Sequence, residues 1–332
     1  MTISVLICDD SAMARKQMAR TLPKEWDVEI TYATNGAEGL DAIRAGKGEV
    51  VFLDLNMPVM DGYEVLQTVQ QNDLPALIIV VSGDIQIKAH ERVKALGALD
   101  FIQKPVSADA ISNILQEYGI LTLTQKDQVE DTPMIKVDMR DACQEIANVA
   151  MGRAADLLAK LLDVFVLLPI PNVNVLEVSE LTMALASIAP DSQTSGVCQG
   201  FIGGGVSGEA LLILNDSSFK DIARLMNYQG ELTVKIELEL LMDIANILIG
   251  AVLKGLAEQI DMSFSQGHPV VLGQHATVSE LIKANARRWR KTLAIELSYG
   301  IENYNISCDL LLLFTEDSLK TLNYKVAFLL EE

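Results

Sequence analysis

The sequence predicts an α/β protein in two parts: a five-stranded parallel sheet over about the first 120 residues, then a second α/β region built twice from one unit. Two observations carry this reading. Uninterrupted apolar runs alternate with segments of helical spacing through the first part. Beyond it, one pattern of apolar, small and acidic residues recurs 98 residues further on.

In the first part, Ile3–Cys8, Val50–Leu53, Leu77–Val81 and Ala98–Ile102 are short apolar runs, and Val28–Tyr32 is a more polar one that suits an edge strand. Ala12–Leu22 and Gly62–Gln71 have helical spacing. Strands that are apolar at every position belong to a parallel sheet covered on both faces. Ligands of such sheets sit beyond the C-terminal strand ends. Those ends carry Asp9, Asp10, Asp54, Ser82 and Lys104. Three converging carboxylates call for a cation, and Mg²⁺ suits carboxylate, water and phosphate oxygens. A hydroxyl and an ammonium beside them suit the oxygens of a phosphoryl group.

These residues resemble the CheY-like receiver family: the Asp9-Asp10 pair, Asp54 within DLNMPVMDG, Ser82 before Gly83, and Lys104-Pro105. The resemblance implies a flavodoxin-like sheet of order 2-1-3-4-5. It also implies that Asp54 is the phosphoacceptor, and that Asp10, Asp54 and the Asn56 carbonyl bind Mg²⁺, with Asp9 acting through water. Ser82 and Lys104 then hold phosphoryl oxygens, and Phe101 takes the aromatic switch position. A cognate histidine kinase is the implied phosphodonor.

Residues 1–121 are thus the expected receiver domain. Residues 122–136 are polar, lack an apolar period and contain Pro133, so they read as a linker. The second domain runs over 137–332. Within it DACQEIANVAMGRAADLLAKLLD, from Asp141, matches ELLMDIANILIGAVLKGLAEQID, from Glu239. Val178-Ser179-Glu180-Leu181 recurs as Val278-Ser279-Glu280-Leu281, and ALLILNDSSFK from Ala210 recurs as LLLLFTEDSLK from Leu310. Each copy has a long helix, a short helix, apolar strands and a closing helix, and the duplication predicts a pseudo-two-fold axis within one domain. Val149, Leu157, Leu158 and Leu161, with Ile247, Leu256 and Ile260, have core-like spacing. Gly203, Gly205 and Gly208 precede an apolar run, which suits a turn between strands better than a dinucleotide loop.

Polar residues on the long helices stand out. Asp141, Glu145 and Asn148 lie at i, i+4 and i+7, and so share one helix face; Glu239, Asp243 and Asn246 repeat them. The plain reading is solvation, with acids near a helix start answering its dipole. Recurrence in both copies favours a site. The motif resembles that of the CheC/CheX/FliY phosphatases, which dephosphorylate CheY-type receivers. The resemblance implies that Glu145 binds the substrate receiver's lysine and Asn148 orients the attacking water, as a glutamine does in small GTPases. Asp243 and Asn246 form a second candidate site, in which a shorter acid replaces the glutamate.

Composition excludes other classes. A net charge of −19 repels nucleic acid and anionic membrane. The run Arg287-Arg288-Trp289-Arg290-Lys291 reads as a solvated connector. Cys8, Cys143, Cys198 and Cys308 are scattered, as reduced cytosolic thiols are. No apolar stretch reaches the ~20 residues that span a bilayer. The expectation is a cytoplasmic chemotaxis-type response regulator whose CheC-like output domain hydrolyses the phosphate of a CheY-type receiver. Two alternatives stand beside it. One is a non-enzymatic module that binds chemotaxis or motor proteins. The other is dephosphorylation of its own receiver, within one chain or across a homodimer.

Overall fold

The computed structural model describes residues 2–120, 135, 137–176, 193–277 and 292–331. The chain divides into two compact units, Met1–Glu145 and Ile146–Glu332.

The first unit alternates β1 (Ile3–Cys8), α1 (Ala12–Thr21), β2 (Val28–Ala33), α2 (Gly36–Arg44), β3 (Val50–Leu53), α3 (Gly62–Gln71), β4 (Leu77–Ser82), α4 (Ile87–Ala95), β5 (Asp100–Gln103) and α5 (Ala108–Glu117). It also takes in the start of α6 (Met139–Leu162). The five strands are parallel in the order β2-β1-β3-β4-β5, so the polar run Val28–Ala33 is the edge expected of it. Alternation explains why the inner strands are apolar throughout. Leu6, Cys8, Val51, Leu53 and Val80 pack with Leu40, Ile43, Val65 and Leu66 on one face. Val5, Ile7, Phe52, Ile79 and Val81 pack with Met18, Ile111 and Leu115 on the other. Helix starts are set locally. The side chains of Ser11, Asn35, Asp61 and Ser107 cap α1, α2, α3 and α5, and Asp61 with Glu64 closes a capping box.

The second unit continues through β6 (Val166–Leu167), β7 (Asn172–Leu176), β8 (Thr194–Gly203), β9 (Val206–Asn215), a 3₁₀ turn (Asp216–Ser218), α7 (Phe219–Leu225) and α8 (Val234–Gln259). Then come β10 (Ser265–Gln266), β11 (Val270–Ala276), β12 (Thr292–Ile301), β13 (Ser307–Phe314) and α9 (Ser318–Glu331). The repeat is visible in this order, a long helix, short strands, a long hairpin and a closing helix, twice.

The sheet is antiparallel and centred on β9 paired with β13, flanked by β8 and β12. The outer strands are exchanged: β11 of the second copy pairs with β8 of the first, and β7 of the first pairs with β12 of the second. Each copy therefore completes the other's sheet, and neither buries its strands alone. Gly203 ends β8, and Gly204 and Gly205 (φ +56° and +82°) make the two-residue hairpin turn into β9, which needs positive φ at both positions.

Helices α6 and α8 pack together through apolar residues, an Arg153–Glu258 ion pair, and Gln259 Nε2 donating to the Ile146 carbonyl at 2.8 Å. The expected core positions Val149, Leu158, Leu256 and Ile260 are buried, and Ile247 is half-buried. Leu157 and Leu161 are not core: they are 48% and 40% exposed. The buried stripe of α6 runs through Ala147, Ala150, Met151, Ala154, Ala155, Leu158 and Leu162. One residue along a helix is a 100° rotation, enough to turn Leu157 and Leu161 off that stripe.

The expected linker, except Ile135, the Val178–Leu181 and Val278–Leu281 segments and the basic run 287–291 lie outside the described residues. Among the described residues no helix is long and apolar enough to cross a membrane.

Candidate functional site

Four strand ends of the first unit converge. β1 delivers Asp9 and Asp10, β3 delivers Asp54, β4 ends on Ser82, and β5 leads into Lys104. Lys104 N–H donates to the Ser82 carbonyl at 2.9 Å, which continues the sheet pairing one residue past β5 and fixes where its side chain leaves. Its ammonium lies 2.8 Å from Asp9 Oδ2, 3.1 Å from Asp54 Oδ1 and 3.1 Å from Glu145 Oε1. Ser82 is fully buried, and its Oγ accepts from Asp84 N–H at 3.1 Å. Asn56 N–H donates to Asp54 Oδ2 at 2.9 Å. Phe101 is half-buried and meets the His90 ring edge-on at 4.5 Å.

The charge balance is lopsided. Asp9, Asp10, Asp54 and Glu145 share one ammonium in a buried place. Burial, with Asp54 and Glu145 nearby, raises the Asp9 carboxyl well above the ordinary range, although Lys104 opposes this. Burial and Asp54 push Asp10 up to about 7. Burial also raises Glu145, against the pull of Lys104. For Lys104 burial favours loss of the proton, but the surrounding carboxylates win and hold it firmly charged.

A divalent cation fits here. One oxygen from each of Asp9, Asp10 and Asp54 lies within 4.8 Å of the others. Buried Asp54 Oδ1 has no hydrogen-bond donor in good geometry among the described residues. A hard cation takes such oxygens and removes the excess negative charge.

The first turns of α6 add to this unit. Asp141 accepts from the N–H groups of Ala12 and Met13 at 2.7 and 2.8 Å, placing its carboxylate at the positive end of α1. Gln144 Nε2 reaches Asp10 Oδ2 at 3.5 Å. Glu145, expected to bind the active-site lysine of a receiver, meets Lys104 of its own chain. Asn148 follows three residues later on the same helix face, in the second unit, and is buried. Asp243 and Asn246 are exposed on α8, away from any such partner among the described residues.

One contributor escaped the sequence reading. Arg15 Nη1 donates to the carbonyls of both Asp9 and Asp10, at 2.7 and 2.9 Å. Its only sequence signal is its place on α1, one turn after the capping Ser11.

The model of the response regulator receiver domain matches residues 5–116. A protein-glutamate methylesterase/protein-glutamine glutaminase of Geobacter sulfurreducens is 34% identical over 157 residues, 46% of this chain and 40% of that protein. An uncharacterized response regulatory protein of Shewanella oneidensis is 34% identical over 116 residues, 34% of this chain and 48% of that one. The chain thus spans less than half the length of either relative. Among solved structures, FliY of Thermotoga maritima aligns at 19% identity and a TM-score of 0.42, over 60% of this chain and 98% of that one. The matched model and the convergent strand ends together identify residues 5–116 as a response regulator receiver domain.

Proposed function

We propose that the chain is a two-component response regulator of the chemotaxis type that removes the phosphoryl group from its own receiver. In this reading a receiver spans residues 1–121, a linker 122–136 and a CheC-like phosphatase domain 137–332. A histidine kinase phosphorylates Asp54. Asp9, Asp10, Asp54 and the Asn56 carbonyl hold Mg²⁺, which supplies positive charge to the phosphoryl oxygens. Ser82 and Lys104 bind those oxygens, and Phe101 reports the change to the neighbouring surface.

One observation carries the choice of substrate: the Glu145 carboxylate sits 3.1 Å from Lys104 of the same chain, beside Asp54. That is the contact which the motif's resemblance to the CheC/CheX/FliY phosphatases implies between a phosphatase helix and its substrate. Asn148 stands on the same helix face and orients water toward phosphorus. The water adds, the P–O bond to Asp54 breaks, and Asp54 leaves as a carboxylate. The hydrogens of the water end on the released phosphate, which gives one up to solvent. An acyl phosphate is already activated, so positioning suffices, and its loss costs about 100-fold in rate.

A second reading, hydrolysis of the phosphate on a separate CheY-type receiver, draws on the exposure of Asp243 and Asn246.

The test is the lifetime of phosphate on Asp54 after labelling with acetyl phosphate. Asp54→Asn takes no label, because an amide is a poor nucleophile. Asn148→Ala takes the label and holds it about 100-fold longer than wild type. Equal lifetimes in wild type and Asn148→Ala would remove the hydrolytic role.

A further inference from the structure

Strand β1 ends at Cys8, and beyond it the backbone turns so that two consecutive carbonyls, those of Asp9 and Asp10, face the same way. Such groups need a donor in place of the sheet ladder they have left. Arg15 supplies it to both through one nitrogen, at 2.7 and 2.9 Å. Arg15 is itself placed by the helix, since its N–H donates to the Ser11 carbonyl at 3.0 Å and Ser11 caps α1.

We propose that Arg15 is a positioning residue for the divalent cation: by clamping the Asp9 and Asp10 carbonyls it aims both carboxylates at Asp54. The inference rests on the reading that these three aspartates hold Mg²⁺. The clamp matters because the two carboxylates are held unequally. Asp9 is tied at both oxygens, Oδ1 by Ser11 N–H at 2.9 Å and Oδ2 by Lys104 at 2.8 Å. Among the described residues the Asp10 carboxylate has only the 3.5 Å contact from Gln144 as a side-chain hydrogen bond. Its direction therefore depends on the backbone that carries it, and Arg15 fixes that backbone. The guanidinium also places a permanent positive charge behind the acid cluster without entering it. Partners of this outer kind are worth roughly 10- to 100-fold in metal affinity.

The experiment is Mg²⁺ titration of the full chain by calorimetry, with folding of each variant checked by circular dichroism. Wild type binds, and Asp10→Asn binds far more weakly. Should either fail, the Mg²⁺ assignment itself is wrong. With both in hand, Arg15→Met is expected to bind roughly 10-fold more weakly than wild type while remaining folded. Arg15→Lys, which keeps the charge but lacks the planar fork, falls between them. A folded Arg15→Met with wild-type affinity overturns the inference, since a purely structural arginine would alter the melting temperature and leave the affinity alone. If Arg15→Met does not fold, Arg15→Lys decides: weaker binding supports the clamp, and wild-type binding overturns it.

Discussion

Lys104 and Glu145 meet at 3.1 Å with side chains only 4% and 7% exposed, so a residue from the start of α6 completes the charge environment of the receiver's ammonium. Removing one member of a buried ion pair leaves the other charged and unpaired, whereas removing both leaves neither. Lys104→Met is therefore expected to destabilise the first unit by about 3 kcal/mol. Adding Glu145→Leu should recover part of that loss, because the two substitutions are coupled. Chemical denaturation of the four species closes the cycle. Strictly additive effects would mean that the pair does not form in solution.

Gly62 supports the loop after Asp54. A side-chain carbon there would sit 2.2 Å from the Asp54 carbonyl oxygen and 2.8 Å from Leu55 Cα, both backbone atoms that cannot swing aside. Gly62→Ala should cost about 1–3 kcal/mol through overpacking. It should also slow labelling of Asp54, whose peptide must shift. A denaturation midpoint and labelling rate both equal to wild type would contradict this.

The sequence made much of this site legible. Apolar strands ending in Asp9, Asp10, Asp54, Ser82 and Lys104 are sufficient, because a parallel sheet brings its strand ends together. Arg15 was not legible, since its work is done by hydrogen bonds to two carbonyls, and backbone acceptors leave no mark on side-chain pattern. The partner of Glu145 was not legible either. A motif states which group a carboxylate seeks but not which molecule supplies it, and here the chain supplies its own. In the second unit the repeat was readable from the Ile-Ala-Asn helices and the leucine-rich hairpins. The exchange of β7 and β11 was not, because the residue pattern of short segments such as NVNVL and VVLGQHA reports a strand but not which strand it pairs with.

The second unit carries a pH signature. Burial raises the Asp309 carboxyl above the ordinary range, although Ser298 Oγ donates to it at 2.6 Å. The folded chain thus keeps a proton that the unfolded chain gives up near pH ~4, and stability falls as pH rises from there through the folded value. Asp309→Asn keeps an acceptor for Ser298 and removes the titration. Its melting temperature relative to wild type should be more favourable at pH 7 than at pH 4.5. A difference that is the same at both pH values would mean that the carboxyl titrates normally.

The two repeats are expected to differ in function. Asn148 follows Glu145, which reaches Lys104, whereas Asn246 follows the exposed and shorter Asp243. Asn246→Ala should leave the lifetime of phosphate on Asp54 within about 2-fold of wild type, and the double variant should match Asn148→Ala, as expected when only one amide acts on this substrate. Phosphate retained by Asn246→Ala alone would exchange the roles of the two copies.

The central question is whether the chain acts on itself. The decisive measurement is the first-order rate constant for loss of labelled phosphate from Asp54, followed in a single turnover as the protein is diluted over roughly 100-fold. Reaction within one chain has no second-order step, so the rate constant should stay the same at every dilution. An apparent rate constant that falls in proportion to concentration would show that one molecule acts on another, and would contradict hydrolysis within the chain.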